Sequence, residues 1–172
     1  MSTPQILFTE AEIAARVDAI ARSIVALSTR PEILVGILAG AFVFAADLAR
    51  ALARHGLALS VEFLWLRSYG EFRNSGDVQV LVGPADVVRG KRILLADGVL
   101  DRGTTLLKAK TLLLERSASS VLTAVVVDKS RSDALLRADF SAFQGVGDFI
   151  VGYGMDDGGA GRALPYIARA KT

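Results

Sequence analysis

The sequence of 172 residues contains no cysteine and a single histidine. Without cysteine there can be no disulfide framework and no thiolate chemistry, and a reducing compartment is permitted. One histidine, His55, cannot build a histidine metal cluster by itself. Because His55 stands at the end of a helical pattern, it is more typical of a solvated or dipole-stabilised residue than of a catalyst. Any chemistry must therefore rest on other side chains.

Long apolar runs and strong charge are also missing. The longest uncharged run, residues 33–46, is too short to span a bilayer. The N-terminus lacks the basic region of a signal peptide, so we expect a cytoplasmic protein that does not associate with membranes. A net charge of +2, with no basic run interleaved with aromatics, argues against a nucleic-acid partner.

Apolar residues, in contrast, are abundant in short segments. They make up 52% of the chain, and the mean hydropathy is +0.42. This composition is typical of a sheet covered on both faces, or of a subunit that buries surface in an oligomer. The length predicts a single domain over residues 1–172, since no linker or internal repeat is visible.

Strand and helix patterns alternate along the chain. A capping box at Thr9 and Glu12 begins the first helix, and residues 67–77 form a polar, glycine-bearing segment that we predict to be a mobile loop in a β-ribbon. Residues 130–147 are interpreted as a connection. The pattern favours an α/β fold with a mainly parallel sheet flanked by helices. The predicted strands are Ile33–Leu38, Leu59–Leu66, Val78–Val82, a run from Ile93 to Ala96, Val121–Val127 and Phe149–Val151, and further helices are Ala41–Arg54 and Thr104–Arg116.

The segment from Arg92 to Leu106 is the strongest candidate for a functional site. After its apolar run come two acids, Asp97 and Asp101, then Gly103 and the hydroxyls of Thr104 and Thr105 at a predicted helix start. Free amides and the helix dipole at such a start bind anions, and glycine lets a ligand approach the backbone closely. The acids suit ribose hydroxyls, a metal ion or a proton in transfer. A buried strand, a polar turn and a capped helix without function would explain the local pattern equally well.

A resemblance to a known family favours function. The segment Asp97–Thr105 resembles the phosphoribosyl-pyrophosphate (PRPP) loop of type I phosphoribosyltransferases, with glycine at Gly98 in place of a second acid and Arg102 in place of threonine. From Glu32 to Ile167 the order of motifs is similar to that of hypoxanthine-guanine phosphoribosyltransferases. The matching pieces are Val35–Phe42, Val61–Phe63, Ser68–Gly70, the central loop, Val127–Lys129, Phe149–Gly154, and Arg162 before Leu164–Ile167.

The resemblance implies the type I phosphoribosyltransferase fold, with a small hood and a β-ribbon mobile loop carrying Ser68 and Tyr69. It also implies a role for each matching position. Asp97 would face the ribose hydroxyls, Asp101 would handle the proton at purine N7, and the amides from Arg102 to Thr105 would cradle the 5′-phosphate. The remaining implied roles are pyrophosphate binding at Ala39, Gly40 and Arg162, reading of the purine 6-oxo group by Lys129, base contacts by Phe149, Ile150 and Asp156, and Mg²⁺ binding by Asp156 and Asp97.

Several of these residues can also be explained without any role in function. Lys129 alone is typical of a surface lysine, Phe149 and Tyr153 of core aromatics, and Arg162, which follows a glycine-rich stretch, of a solvated tail residue. The family usually has lysine where this chain has Ala39.

The leading hypothesis is a 6-oxopurine phosphoribosyltransferase that converts PRPP and a purine base to a nucleotide, with Mg²⁺, as a homodimer or homotetramer. The rivals are a non-catalytic nucleotide- or PRPP-binding paralogue, which the departures at Ala39, Gly98 and Arg102 support, and a phosphoribosyltransferase for a different base.

Overall fold

A six-stranded sheet forms the centre of the computed structural model, which describes residues 5–68, 78–84 and 86–170. A separate three-stranded sheet lies beside it. In chain order the elements are β1 (Ile6–Phe8), α1 (Glu10–Val25), β2 (Ile33–Leu38), α2 (Phe42–Arg54), β3 (Ser60–Ser68), β4 (Val78–Val82), a 3₁₀ turn (Asp86–Val88), β5 (Arg92–Leu100), α3 (Thr104–Glu115), β6 (Ser120–Asp128), β7 (Phe140–Gln144), β8 (Ile150–Val151) and β9 (Ile167–Arg169).

The large sheet has the order β4-β3-β2-β5-β6-β7, and all its neighbouring pairs are parallel except β3 with β4. Helices α1 and α2 cover one face, where Phe44, Leu48 and Ile24 are fully buried, and α3 covers the other with Leu106 and Leu113. Because both faces are covered, the central strands are apolar throughout, which is the pattern their sequences show. The predicted α/β architecture is confirmed.

Local signals in the helices are also confirmed. The Thr9 hydroxyl accepts from the Glu12 amide while the Glu12 carboxylate accepts from the Thr9 amide, so the predicted capping box begins α1. His55 caps the C-terminus of α2, and its Nε2 lies 2.8 Å from Oδ1 of Asp18 on α1. The histidine thus joins two helices. Among the described residues, none of the helices combines the length and apolar character needed to cross a bilayer.

The three-stranded sheet brings the two ends of the described chain together. Strand β9 pairs antiparallel with β1 on one side and β8 on the other, and its Ile167 is fully buried. This small sheet is the hood that the family resemblance implied. The sequence patterns did not predict β1 or β9, since strands of three residues are too short to show a period.

Three further predictions about the sheet have definite outcomes. The β-ribbon is confirmed by the antiparallel pairing of β3 with β4, and residues 69–77, including Tyr69, lie outside the described residues. The strand predicted to end at Ala96 instead continues to Leu100, because its ladder with β6 continues to the Leu100–Asp128 pair. The connection predicted over residues 130–147 contains β7, an edge strand parallel to β6.

A side-chain bond holds the start of β7 against β6. Oδ2 of Asp139 accepts from the amide of Thr123 at 2.7 Å and from its hydroxyl at 2.8 Å, and the hydroxyl in turn accepts from the Asp139 amide at 3.0 Å. Thr123 is fully buried. One carboxylate therefore satisfies two donors of a buried residue that have no access to water.

Replacing that carboxylate should destabilise the protein. We expect Asp139→Ala to lower the free energy of unfolding by about 1–3 kcal/mol, because it removes the acceptor of two buried donors, the amide and the hydroxyl of Thr123. Urea unfolding followed by circular dichroism measures the change. Asp86→Ala removes a carboxylate from a side chain that is 97% exposed and serves as the control. Equal stability of the two variants would contradict the assignment.

Candidate active site

A cavity of about 420 Å³ opens at the carboxyl end of β5. It brings together both acids of the central segment and the loop at the start of α3, as the sequence predicted. Ligands of parallel α/β sheets bind at this edge. The lining residues are Asp97, Val99, Asp101, Arg102, Gly103, Thr104, Thr105, Leu106 and Arg131.

The turn into α3 has the geometry of an anion site. Gly103 has φ +85°, a left-handed conformation that favours glycine, and a Cβ there would lie 2.6 Å from Cδ2 of Leu136, so a larger residue would also have to displace that side chain. The first bond of the helix runs from the Leu107 amide to the Gly103 carbonyl at 2.8 Å. The amides of Thr104 and Thr105 consequently have no partner within the helix and stand beside the cavity.

Asp101 and Lys129 come together at one edge of this cavity. The Lys129 side chain is only 10% exposed, and its amine donates to Oδ2 of Asp101 at 3.1 Å. Nε of Arg131 lies 3.4 Å from Oδ1 of Asp101, but Oδ1 is buried and has no hydrogen-bond partner among the described residues. A buried carboxylate oxygen without a hydrogen-bond partner is unusual in a folded protein, and it is available to accept a hydrogen bond from a ligand.

Asp97 lies inside β5 rather than in the loop after it. Burial raises the pKa of its carboxyl from 3.8 to about 7, although the Gly98 amide, which donates to Oδ1 at 2.7 Å, acts in the opposite direction. The ionised form is disfavoured because burial removes the water that would solvate its charge. Near neutral pH, Asp97 can therefore both donate and accept hydrogen bonds.

Gly98, the departure from the family pattern, permits a close backbone contact. A Cβ at this position would lie 2.9 Å from the carbonyl oxygen of Gly40, and one on Gly154 would lie 2.6 Å from the same oxygen. The φ of Gly98 is not in the left-handed region. Lack of space, and not backbone strain, is what favours glycine at position 98. The loop at Ala39 and Gly40 thus packs directly against β5 and the hood.

The hood contributes a second group of predicted residues. Arg162 forms an ion pair with Oδ1 of Asp156 and donates to the Gly154 carbonyl, so it is not a solvated tail residue. Phe149 is 57% exposed, which excludes the core interpretation for that ring. The core interpretation is correct for Tyr153, which is 5% exposed and donates from its hydroxyl to Asp47 at 2.7 Å.

Two further predicted positions lie in strands. Ile150 is buried in β8, and Ser68 is the last residue of β3.

Within the described part of the chain, no group of three histidine, cysteine, aspartate or glutamate residues could hold a metal ion. Both oxygens of Asp156 are already engaged, one by Arg162 and the other by the Gly159 amide at 2.7 Å.

Sequence reasoning missed two residues near the cavity, Arg131 and Asp133. Arg131 donates to both oxygens of Asp133, at 2.8 and 3.0 Å, and lines the cavity beside Asp101. The only available signal was the alternation of charge after Lys129. That signal is weak, because charged residues in a connection are usually solvated.

Comparisons with known proteins agree with this geometry. A family model described as phosphoribosyl transferase domain matches residues 5–157. The chain is 36% identical to the hypoxanthine-guanine phosphoribosyltransferase of Aquifex aeolicus, over 95% of this chain and 92% of that protein. It is 34% identical to the hypoxanthine phosphoribosyltransferase of Escherichia coli K12, over 97% and 95% of the two chains.

Solved structures show the same relationship. The hypoxanthine phosphoribosyltransferase of Trypanosoma cruzi in complex with its product IMP superposes with a TM-score of 0.86 at 30% identity, covering 97% of this chain and 94% of that one. A second structure, from a study of an invariant aspartic acid in these enzymes, gives a TM-score of 0.87 at 30% identity, with 97% and 95% covered. The chain therefore belongs to the phosphoribosyl transferase family.

Proposed function

We propose that this protein is a 6-oxopurine phosphoribosyltransferase of purine salvage, forming a purine nucleotide and pyrophosphate from PRPP and a base. The observation that carries the proposal is the contact between Asp101 and Lys129 beside the loop that begins α3. It places a free carboxylate oxygen and an ammonium donor side by side within reach of one ligand. The names of the relatives support the same chemistry.

In the proposed reaction, the base nitrogen forms a bond to the ribose anomeric carbon as the bond to pyrophosphate breaks. The amides of Thr104 and Thr105 hold the 5′-phosphate with help from the helix dipole. Lys129 donates to the 6-oxo group, and Asp101 accepts the proton that leaves purine N7. Asp97 binds the ribose hydroxyls. The transition state gains positive charge on the ribose, which nearby carboxylates stabilise.

Magnesium is part of the proposal. Mg²⁺ commonly binds one or two carboxylates and completes its shell with water and phosphate oxygens, a donor set that Asp97 and Asp156 fit. Asp156 must first exchange its ion pair with Arg162. When bound, the cation neutralises charge on the pyrophosphate. Since Gly98 supplies no carboxylate, we propose that the dependence on Mg²⁺ is weak.

We further propose a homodimer or homotetramer. Val61, Phe63 and Trp65 alternate along β3 and are 40%, 38% and 42% exposed, and Phe42 at the start of α2 is 40% exposed. Apolar side chains clustered at the surface are typical of an interface between subunits. The cytoplasmic location expected from the sequence stays a prediction.

The second candidate function is nucleotide or PRPP binding without catalysis. Gly98 favours it, because the Gly40 carbonyl occupies the space that a second acidic side chain would need. Nucleotide formation from PRPP with hypoxanthine, guanine, xanthine or adenine separates the two, with calorimetry on the same sample. Product from 6-oxopurines supports the enzyme. Nucleotide binding without product from any base supports the second candidate, and product from adenine alone indicates a different base.

Asp101→Asn should impair turnover. We expect kcat to fall by about 10²- to 10⁴-fold, because asparagine cannot accept the N7 proton. Nucleotide affinity should change little, since the amide still fits the space. Steady-state kinetics and calorimetry measure the two effects. Asp86→Asn is the control, because it makes the same substitution at a side chain that is 97% exposed and does not line the cavity. An unchanged kcat would exclude the assigned role.

Lys129→Ala should change base selectivity. We expect the kcat/KM for hypoxanthine to fall at least about tenfold more than any activity with adenine, because only the 6-oxopurine loses a charge-assisted hydrogen bond. The ratio is the informative quantity, since removal of Lys129 also frees Asp101 from its partner. Equal losses of kcat/KM for both bases would refute recognition of the 6-oxo group by Lys129.

Asp97→Asn should stabilise the protein in a pH-dependent manner. The folded pKa of about 7 lies above the ordinary 3.8, so ionisation of Asp97 favours the unfolded state as pH rises from about 4 to 7. Asparagine keeps the acceptor for Gly98 and cannot ionise. We expect its advantage in unfolding free energy to grow from pH 5 to about pH 7 and then to level off at a few kcal/mol, because a tenfold change in proton affinity corresponds to about 1.4 kcal/mol.

Denaturant unfolding at several pH values, in buffer containing a chelator, measures this advantage. Asp18→Asn is an informative control, because a hydrogen bond from His55 holds the pKa of Asp18 below its usual range. Asp18 therefore contributes stability that is present above pH 4 and lost as pH falls, the opposite dependence. An Asp97→Asn effect that does not vary with pH would contradict a raised pKa.

A further inference from the structure

Five side chains of alternating charge cross the mouth of the cavity at the end of β5. Contacts of 3.4 Å or less join each to the next. In order they are Arg102, Asp133, Arg131, Asp101 and Lys129. Nε of Arg102 lies 3.4 Å from Oδ2 of Asp133, which Arg131 also contacts. Nε of Arg131 lies 3.4 Å from Oδ1 of Asp101, and the Lys129 amine lies 3.1 Å from Oδ2 of Asp101.

Asp133 is the point where the two arginines meet. Arg131 makes a two-point contact with its carboxylate, and Arg102 approaches one of the same oxygens. The hydrogen bond from Arg131, with smaller contributions from the charges of both arginines, lowers the pKa of Asp133 to about 2, so the group is an anion throughout the physiological range. Both arginines line the cavity, together with the loop from Gly103 to Thr105.

We propose that Arg102 and Arg131 clamp the phosphate ester of the ligand, and that Asp133 is an internal anion that holds them ready and competes with it. The inference rests on the proposed function and adds two specificity-determining residues to it. A guanidinium binds carboxylate and phosphate with the same forked geometry, so one anion can replace the other. A phosphate monoester carries more charge and a third oxygen, which favours the exchange.

The exchange does not require the loop to move. The Leu135 amide donates to the Arg102 carbonyl at 2.9 Å, the Lys129 amide donates to the Leu100 carbonyl at 2.9 Å, and Leu136 packs against Gly103. These bonds hold residues 129–136 against the central loop independently of the ion pairs. Loss of Asp133 should consequently free the arginines without displacing them from the cavity.

An alternative role for Arg131, orientation of Asp101, is less well supported. The Nε of Arg131 donates its hydrogen bond to Asp133 at 2.8 Å, and Oδ1 of Asp101 receives none from the described residues. The hydrogen bonds of Arg131 are therefore directed at the anion that a phosphate would replace.

Calorimetry with inosine 5′-monophosphate, inosine and inorganic phosphate tests the clamp. We expect Arg131→Gln to weaken the nucleotide about tenfold to a hundredfold, and Arg102→Thr less, because a charge-assisted contact to phosphate is lost. Inosine should change less than twofold. Arg131→Lys, which keeps the charge and loses the fork, should lie in between. Arg137→Gln removes the same charge from an exposed position on the same segment and should have no effect.

Asp133→Asn should change the affinity for nucleotide in the opposite direction from the arginine variants, and it is therefore the decisive variant. We expect it to tighten the nucleotide and inorganic phosphate about twofold to fivefold, the equivalent of an exposed ion pair. In the Arg131→Gln background the gain should shrink, because Asp133 acts through the arginines. Weaker binding in Asp133→Asn, or equal losses of nucleotide and inosine in Arg131→Gln, would overturn the clamp.

The same measurements separate this inference from the proposed function. A wild-type protein that forms nucleotide from PRPP, together with unchanged binding in the arginine variants, overturns the clamp alone. Nucleotide binding that depends on both arginines, without product from any base, supports the clamp and contradicts the enzyme. A wild type that binds neither nucleotide nor phosphate contradicts both.

Discussion

The parallel pairing of β5 with β2 on one side and β6 on the other determines the positions of Asp101, Lys129 and the turn after β2. The ladder with β6 ends at Leu100 and Asp128, so the residues that follow, Asp101 and Lys129, leave the sheet side by side. The ladder with β2 pairs Gly36 with Ala96, which brings the turn after β2 over Gly98. A shift of register in either ladder would separate these groups, since neighbouring strands set which residues meet.

Close packing and chemistry compete at Gly98. The Gly40 carbonyl lies between the Cα atoms of Gly98 and Gly154, a contact that no side chain at either position would allow. The same glycine leaves Asp97 as the only acid at this point of β5, in a position where burial raises its pKa to about 7. A second carboxylate here would have to be accommodated by movement of the Gly40 loop. In this chain, tight packing of the Gly40 loop against β5 therefore excludes a pair of acidic side chains at positions 97 and 98.

The charged groups of the site are arranged as pairs that a ligand can exchange. Arg162 is held by Asp156, the two arginines of the clamp by Asp133, and Lys129 by Asp101. The pairs of Arg162 with Asp156 and of the two arginines with Asp133 are partly exposed, so they contribute little to stability and are easily replaced by a stronger partner. Oδ1 of Asp101 is buried without a partner among the described residues, and it belongs to the carboxylate to which the proposed reaction assigns a proton. Polar groups that are incompletely satisfied are expected where a ligand completes them.

The sequence by itself determined the features that depend on neighbouring residues. The capping box at Thr9, the helix start at Thr104 and the turn at Gly103 follow from local dihedral preferences, and the buried strands follow from apolar runs. The roles expected of Asp101 and Lys129 came from a resemblance in motif order, and only the folded chain showed that the two side chains touch. Tertiary structure alone decided four things: β7 through the Thr123–Asp139 bond, the pairing of β1 with β9, the close approach at Gly98, and the contacts of Asp133 with Arg102 and Arg131. Each depends on residues distant along the chain or on the space left around an atom, and neither quantity is visible in a local pattern.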